Sequence, residues 1–225
     1  MHKITQDVYQ FDELKSGQCY LIVENNGVAL IDTGMMGDYK KIASQMKQQG
    51  FQIEDINYII LTHCHSDHTA NVKKIQDISH ATLIAHEAEK PYIEQTAKLQ
   101  YSSFGKRVGW GILNTLFAIK GIRVDKTVDD GDILEIFGGL QVIHTPGHTP
   151  GSMALYQPDR KVLFSGDSLI NEGKLAVCQG FYNIDDHELS ESVKKLRDIE
   201  IDIICVGHGQ AILEKGAKLI RELFV

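Results

Sequence analysis

Apolar residues fall in short, nearly unbroken runs separated by glycine, proline and acidic turns. Leu21-Ile22-Val23, Val28-Ala29-Leu30-Ile31, Ile59-Ile60-Leu61, Val162-Leu163-Phe164 and Ile203-Ile204-Cys205-Val206 are the clearest. Runs of that length, rich in β-branched residues, predict buried strands. Gln18 to Glu24 and Val28 to Asp32 are expected to pair as a hairpin across Asn25-Asn26-Gly27. Asp38 to Gln49 then switches to helical spacing, with Asp38 as N-cap, Tyr39, Ile42, Ala43 and Met46 on one face and Gly50 as the stop. Ile56 to Leu61 is a strand, Thr69 to Asp77 a helix and Ala81 to Ala85 another strand. Downstream, Lys126 to Ile136, Leu140 to His144, Ser152 to Gln157 and Lys161 to Phe164 predict an antiparallel run of strands. Glu188 to Asp198 is expected as a helix, Ile201 to Val206 as a strand and Ala211 to Leu223 as a closing helix.

Two similar halves of strands and helices suggest an α+β chain in which two sheets pack together with helices outside. Between the halves, residues 86–121 read as a helical insertion carrying Tyr92, Leu99, Tyr101, Phe104, Trp110, Leu113, Leu116 and Phe117. Those side chains either pack on the core, wall a substrate pocket or form a homodimer face. No linker or low-complexity tract divides the 225 residues, so a single domain over 1–225 is expected. The net charge of −7 argues against a nucleic-acid or anionic-membrane partner. Four scattered cysteines, Cys19, Cys64, Cys178 and Cys205, read as reduced thiols, and the first residues lack a secretory apolar segment, so a cytoplasmic location is expected.

The densest chemistry is Thr62-His63-Cys64-His65-Ser66-Asp67-His68-Thr69, directly after an apolar strand. Imidazole and carboxylate groups suit zinc, iron or manganese. His63 and His65 would share one side of an extended segment. Asp67 and His68 are adjacent and must diverge, so the loop is expected to serve two metal ions. Cys64, between two ligands, is expected to point away. Three further segments place a candidate ligand after a strand: His144-Thr-Pro-Gly-His148, Phe164-Ser-Gly-Asp167 and Cys205-Val-Gly-His208.

In this order the set resembles the metallo-β-lactamase fold superfamily, in particular its glyoxalase II-like and lactonase-like branch. Leu30-Ile31-Asp32-Thr33-Gly34 matches a further signature of it. The resemblance implies a four-layer αβ/βα sandwich. It also implies one divalent ion on His63, His65 and His148, a second on Asp67, His68 and His208, and Asp167 bridging the two. Zinc is the expected metal, with iron or manganese as alternatives. Asp32 would orient a ligand by hydrogen bonding, and His144 is a strand-end residue or a support of the ligands. His2, His80, His86 and His187 read as surface or capping residues.

The implied activity is hydrolysis of a thioester, lactone or other carboxylic ester by a metal-bridging hydroxide, with Asp67 taking a proton as the intermediate collapses. Where lactonases of the family carry a tyrosine three positions after the bridging aspartate, this chain has Ile170; Tyr182, farther along, is the candidate substitute. A mononuclear iron enzyme resembling persulfide dioxygenases and a phosphodiesterase or nuclease of the same fold are the alternatives.

Overall fold

A computed structural model describes residues 1–24, 27–101, 121–180 and 182–225. Among them, a seven-stranded sheet runs in the order β1 (His2–Lys3), β2 (Val8–Gln10), β3 (Tyr20–Glu24), β4 (Gly27–Ile31), β5 (Ile56–Ile60), β6 (Thr82–His86) and β7 (Lys126–Val128). The second sheet holds β8 (Ile133–Leu134), β9 (Leu140–His144), β10 (Met153–Gln157), β11 (Val162–Asn171) and β12 (Leu175–Val177), with β13 (Ile203–Gly209) on the far side of β11. The helices are α1 (Tyr39–Gln48), α2 (Ser66–Thr69), α3 (Val72–Ser79), α4 (Lys90–Ile93), α5 (Asp186–Lys194) and α6 (Gly216–Glu222).

Side chains alternate across each strand, and here both faces are covered. From β3, β4 and β5, Tyr20, Ile22, Ala29, Ile31 and Ile60 point to the second sheet, meeting Val142, Met153, Leu155, Phe164 and Cys205. Their neighbours Leu21, Val28, Leu30 and Ile59 point the other way, onto Ile42 and Met46 of α1 and Val72 and Ile75 of α3. Across the molecule, Ala154, Leu163, Ile204 and Val206 meet Leu189 and Val193 of α5 and Ile220 of α6. The result is helix, sheet, sheet, helix. Burial on both faces is why the strands read as continuous apolar runs rather than alternating ones. Each fully buried aliphatic or aromatic side chain contributes ~1.5–3 kcal/mol.

The predicted hairpin forms, with Tyr20 opposite Ile31 and Val23 opposite Val28. Helix α1 ends as its Gly50 predicts: Gly50, at φ +87, donates its N–H to Lys47 O, and Phe51 to Met46 O. Asp38 precedes that helix but makes no side-chain cap; it is fully buried, and its Oδ2 accepts the N–H groups of Met35 and Lys15 instead. The helix expected over 69–77 is broken at Asn71, whose amide donates to Thr33 O (2.7 Å) and Met35 O (2.9 Å). The closing helix is shorter than expected because Ile212 pairs with Ile204 as an isolated bridge, so the helix begins at Gly216.

Strand direction positions the site. β4, β5, β6 and β7 are mutually parallel, and β9, β11 and β13 run the same way within the second sheet. The candidate ligands after β5 and β9, and those late in β11 and β13, therefore collect at one edge of the sandwich. Both β11 and β13 extend past the expected ends, so Asp167 and His208 lie within strands rather than in loops after them. The register between the two strands shifts at Gly166, and again before Ile170, freeing Asp167 from regular pleating. Of the expected 86–121 insertion, residues 86–101 and 121 are described, with a 3-10 turn over Glu87–Glu89 and then α4. Residues 102–120 lie outside the described set. No helix among the described residues is long and apolar enough to cross a membrane.

Candidate metal centre

The strand end of β5 delivers His63 and His65 in extended backbone, and α2 turns at once so that Asp67 and His68 project from its first turn. Two groups of ligand atoms result. His63, His65, His148 and Asp167 form one, and Asp67, His68 and His208 the other, with ligand atoms in each group within 4.8 Å of one another. In the first, His148 Nε2 lies 2.8 Å from His65 Nδ1, 3.2 Å from His63 Nε2 and 3.3 Å from Asp167 Oδ2. Ligand atoms around a tetrahedral zinc at ~2.0–2.1 Å stand about 3.3–3.4 Å apart, so this spacing fits such an ion. In the second, His208 Nε2 is 3.5 Å and His68 Nε2 3.9 Å from Asp67 Oδ2.

Asp167 touches both groups. Its Oδ2 is 3.1 Å from His208 Nε2, and its Oδ1 is 3.2 Å from His68 Nε2. Both Oδ1 and His68 Nε2 are buried without forming a hydrogen bond in this geometry. Buried polar atoms usually have partners. A cation between them would supply one, and the seven side chains fit a pair of divalent ions.

Hydrogen bonds behind the ligands decide which ring nitrogen faces inward. Asp32, held at φ +57, accepts from His68 Nδ1 at 2.8 Å and from the Thr62 hydroxyl at 2.7 Å. That hydroxyl, already donating, accepts from His63 Nδ1 at 3.0 Å. One buried carboxylate thus leaves the Nε2 lone pair of one ring in each group facing the centre. His148 Nδ1 donates to Asn183 Oδ1 at 2.6 Å, which does the same for the third ring. Asn183 was not singled out by any motif; an isolated asparagine far along the chain carries no sequence signal of this role. Ser16 was missed for the same reason, and it donates to Asp67 Oδ2 at 2.8 Å.

Electrostatics divides the rings. Burial pushes His63 well below the usual imidazole range, and burial with His148 beside it pushes His65 down to about 3. Both are neutral, as metal ligands must be. Burial would lower His68 too, but Asp167, Asp32 and Asp67 outweigh it and hold the ring well above the ordinary value. Burial opposes ionisation of Asp167, yet His68, His208 and His63 keep its carboxyl well below the usual range. Burial opposes charge on His208 as well, and Asp167 and Asp67 likewise hold that ring above the ordinary value.

His144 closes β9; its Nε2 donates to Pro150 O at 2.9 Å, tethering the turn that carries His148, and its ring stacks on His86 at 4.1 Å, outside both ligand groups. His86 is a cap, accepting Ala88 N–H, but it is buried rather than at the surface. Cys64 packs among the residues outside the first sheet, and burial plus the Glu89 charge raise its thiol well above the usual value, which leaves it protonated. Tyr182 is 54% exposed and lines, with Met35, Ile170, Glu172, Cys178 and Gln179, a cleft of about 470 Å³ that opens onto Asp67, His148, Asp167 and His208. A hollow of about 550 Å³ lined by Lys73, Thr82 and Arg123 lies at the start of β6, the opposite end from the candidate ligands.

The model of the metallo-β-lactamase superfamily matches residues 13–208, a span that includes all seven candidate ligands. The chain belongs to that superfamily. It is 30% identical to the probable metallo-hydrolase YflN of Bacillus subtilis, over 83% of this chain and 76% of that one. It is 24% identical to an N-acyl homoserine lactonase of a Bacillus species, over 91% and 85%. Among solved structures, BJP-1, a subclass B3 metallo-β-lactamase of Bradyrhizobium japonicum, superposes with a TM-score of 0.74 at 24% identity, covering 99% of this chain and 88% of that chain. That last likeness shows the fold alone. The fold expected from the ligand motifs is therefore the one found. Members of this superfamily of hydrolases bind divalent metals, as the two groups of ligands here would allow.

Proposed function

We propose that the protein is a dinuclear metal-dependent hydrolase of a small uncharged carbonyl compound, a lactone, thioester or other carboxylic ester. The observation that carries this reading is Asp167, whose carboxylate faces ligands of both groups: Oδ2 toward His148 and His208, Oδ1 toward His68. His63, His65 and His148 would hold one ion, Asp67, His68 and His208 the other, and zinc suits this nitrogen-rich set. When bound, such a pair supplies Lewis acidity toward a carbonyl oxygen and hydroxide at neutral pH.

The chain's own groups do the rest. Asp67 and His208 are the more exposed members, 21% and 23% by side chain, so substrate arriving through the cleft meets them first. Ser16 holds Asp67 Oδ2 by donating to it, which orients the carboxylate to accept a proton as a tetrahedral adduct collapses. Tyr182 stands on the cleft wall, where its phenol can donate to a leaving oxygen, and Ile170 and Met35 give the wall its apolar part. No lysine or arginine is among the described residues lining the cleft, and Glu172 is. Phosphodiesters need cationic partners for their charge, so this lining supports an uncharged substrate over a nucleic acid.

Elemental analysis should give two metals per chain, and a panel of lactones, thioesters and phosphodiesters should show turnover of the carbonyl compounds. Asp167→Ala should retain at most one ion and lose activity by about 100–1,000-fold, the scale of removing a preorganised charge-stabilising group. One iron per chain would favour the mononuclear alternative, and activity confined to phosphodiesters would sink the carbonyl reading.

A further inference from the structure

The 3-10 turn after β6 contains a carboxylate that no ligand motif includes. Glu89 is fully buried and, among the described residues, forms no ion pair. Its Oε1 accepts the N–H of Cys64 at 2.8 Å, and its Oε2 accepts the N–H of Gly151 at 2.7 Å. Cys64 lies between His63 and His65; Gly151 lies three residues after His148. The two segments belong to different sheets, and between them they carry all three imidazoles of the first ligand group.

We infer that Glu89 is a positioning residue whose carboxylate clamps these two segments together, so that His63, His65 and His148 converge on one ion. This rests on the metal-dependent reading above. Another bond, Met153 N–H to Thr62 O at 3.0 Å, already docks the segments at a point. That backbone bond fixes the segments at one place, and the imidazoles meet only through their side chains. The fork of Glu89 adds two more attachments, on the backbone of the ligand loops themselves. The fit is tight: a Cβ at Gly151 would come within 2.5 Å of Glu89 N and 2.8 Å of Oε2, so glycine there is what lets the carboxylate approach. A carboxylate is also the side chain that suits the task, because it offers two acceptor oxygens in a fork, whereas an amide offers one oxygen and turns a donor toward the second N–H.

The test titrates metal-free wild type, Glu89→Gln and Glu94→Gln with zinc against a chromophoric chelator, with urea midpoints measured on the metal-free forms. Glu94 is the control, since its Oε1 accepts Val124 N–H at 3.0 Å, away from the ligands. Glu89→Gln is expected to weaken one zinc by about 10–100-fold, the usual cost of losing a group that orients ligands, and to shift the visible spectrum of the cobalt-loaded protein. Glu94→Gln should keep wild-type zinc affinity whatever its urea midpoint. Unchanged affinity in Glu89→Gln, or an equal loss in both variants, overturns the assignment. Should Glu89→Gln not fold, Glu89→Asp keeps the charge and reaches one segment only; weaker zinc there supports the clamp, and unchanged zinc or a second failure to fold overturns it. A wild-type chain that takes up one zinc defeats the two-ion reading, and the clamp is then judged on that one zinc.

Discussion

At the scale of single residues, the candidate ligands are less informative than what stands behind them. His148 can present its Nε2 lone pair inward only while its Nδ1 proton has an acceptor, and that acceptor is Asn183 Oδ1 at 2.6 Å. The same amide donates to Cys178 O and to Asp186 Oδ1, so the ring is fixed to the loop that walls the cleft. Leucine at 183 keeps the branching and the number of heavy atoms and has no acceptor. The imidazole would then be free to carry its proton on Nε2, the position that must be bare to bind a cation. Asn183→Leu should therefore weaken zinc binding by about 10–100-fold, read by competition with a chelator. Wild-type affinity in that variant would show that packing alone orients His148. Asp32 does comparable work for two rings at once, through the Thr62 hydroxyl and directly on His68.

At the scale of elements, the site depends on an irregularity between β11 and β13. Asp167 leaves the regular ladder because the register slips at Gly166, and it fits because Gly207 on the neighbouring strand has no side chain. A Cβ at Gly207 would sit 2.0 Å from Asp167 Oδ1 and 2.6 Å from the Gly166 carbonyl carbon. Backbone cannot yield there, so the carboxylate would have to. Gly207→Ala is expected to lower stability by about 1–3 kcal/mol, the usual cost of overpacking, and to lower the bound metal below two per chain. Urea denaturation and elemental analysis read the two effects separately. This bulge also marks where the sequence stops being legible. The strands, the helix stop at Gly50 and the gathering of His63, His65, Asp67, His68, His148, Asp167 and His208 are written locally, in apolar runs and in ligand spacing. That Asp167 and His208 sit inside strands is not, because slippage depends on the partner strand. Asn183, Glu89 and Ser16 were hidden for a related reason: each acts through a backbone or side chain far away in the chain, and a lone polar residue has no periodicity to betray it. Asp38 shows the converse, a residue with the right local signal for a helix cap whose carboxylate is drawn instead to Lys15 and Met35.

At the scale of the molecule, the candidate centre joins the two sheets. His63, His65, Asp67 and His68 follow β5 of the first sheet, while His148, Asp167 and His208 belong to the second. Ions held by both sets would cross-link the halves at one edge, adding to the apolar layer between them around Phe164 and Tyr20, whose rings meet edge to face at 5.6 Å. Without the ions, the same edge buries two carboxylates, Asp32 and Asp167, beside the part-exposed Asp67, against imidazoles of which His63 and His65 remain neutral. Metal binding must then appear in global stability, because it favours the folded chain over the unfolded one. Free zinc at a hundred times its dissociation constant adds ~2.7 kcal/mol per site. For a chain of this size 1 kcal/mol moves Tm by roughly 2–4 °C, so each site accounts for roughly 5–11 °C. Scanning calorimetry with and without a chelator should show that shift as the displacement of one transition, since the shared apolar layer couples the sheets. Two separated transitions, with only one moved by chelation, would mean that the halves unfold independently and that the ions do not link them.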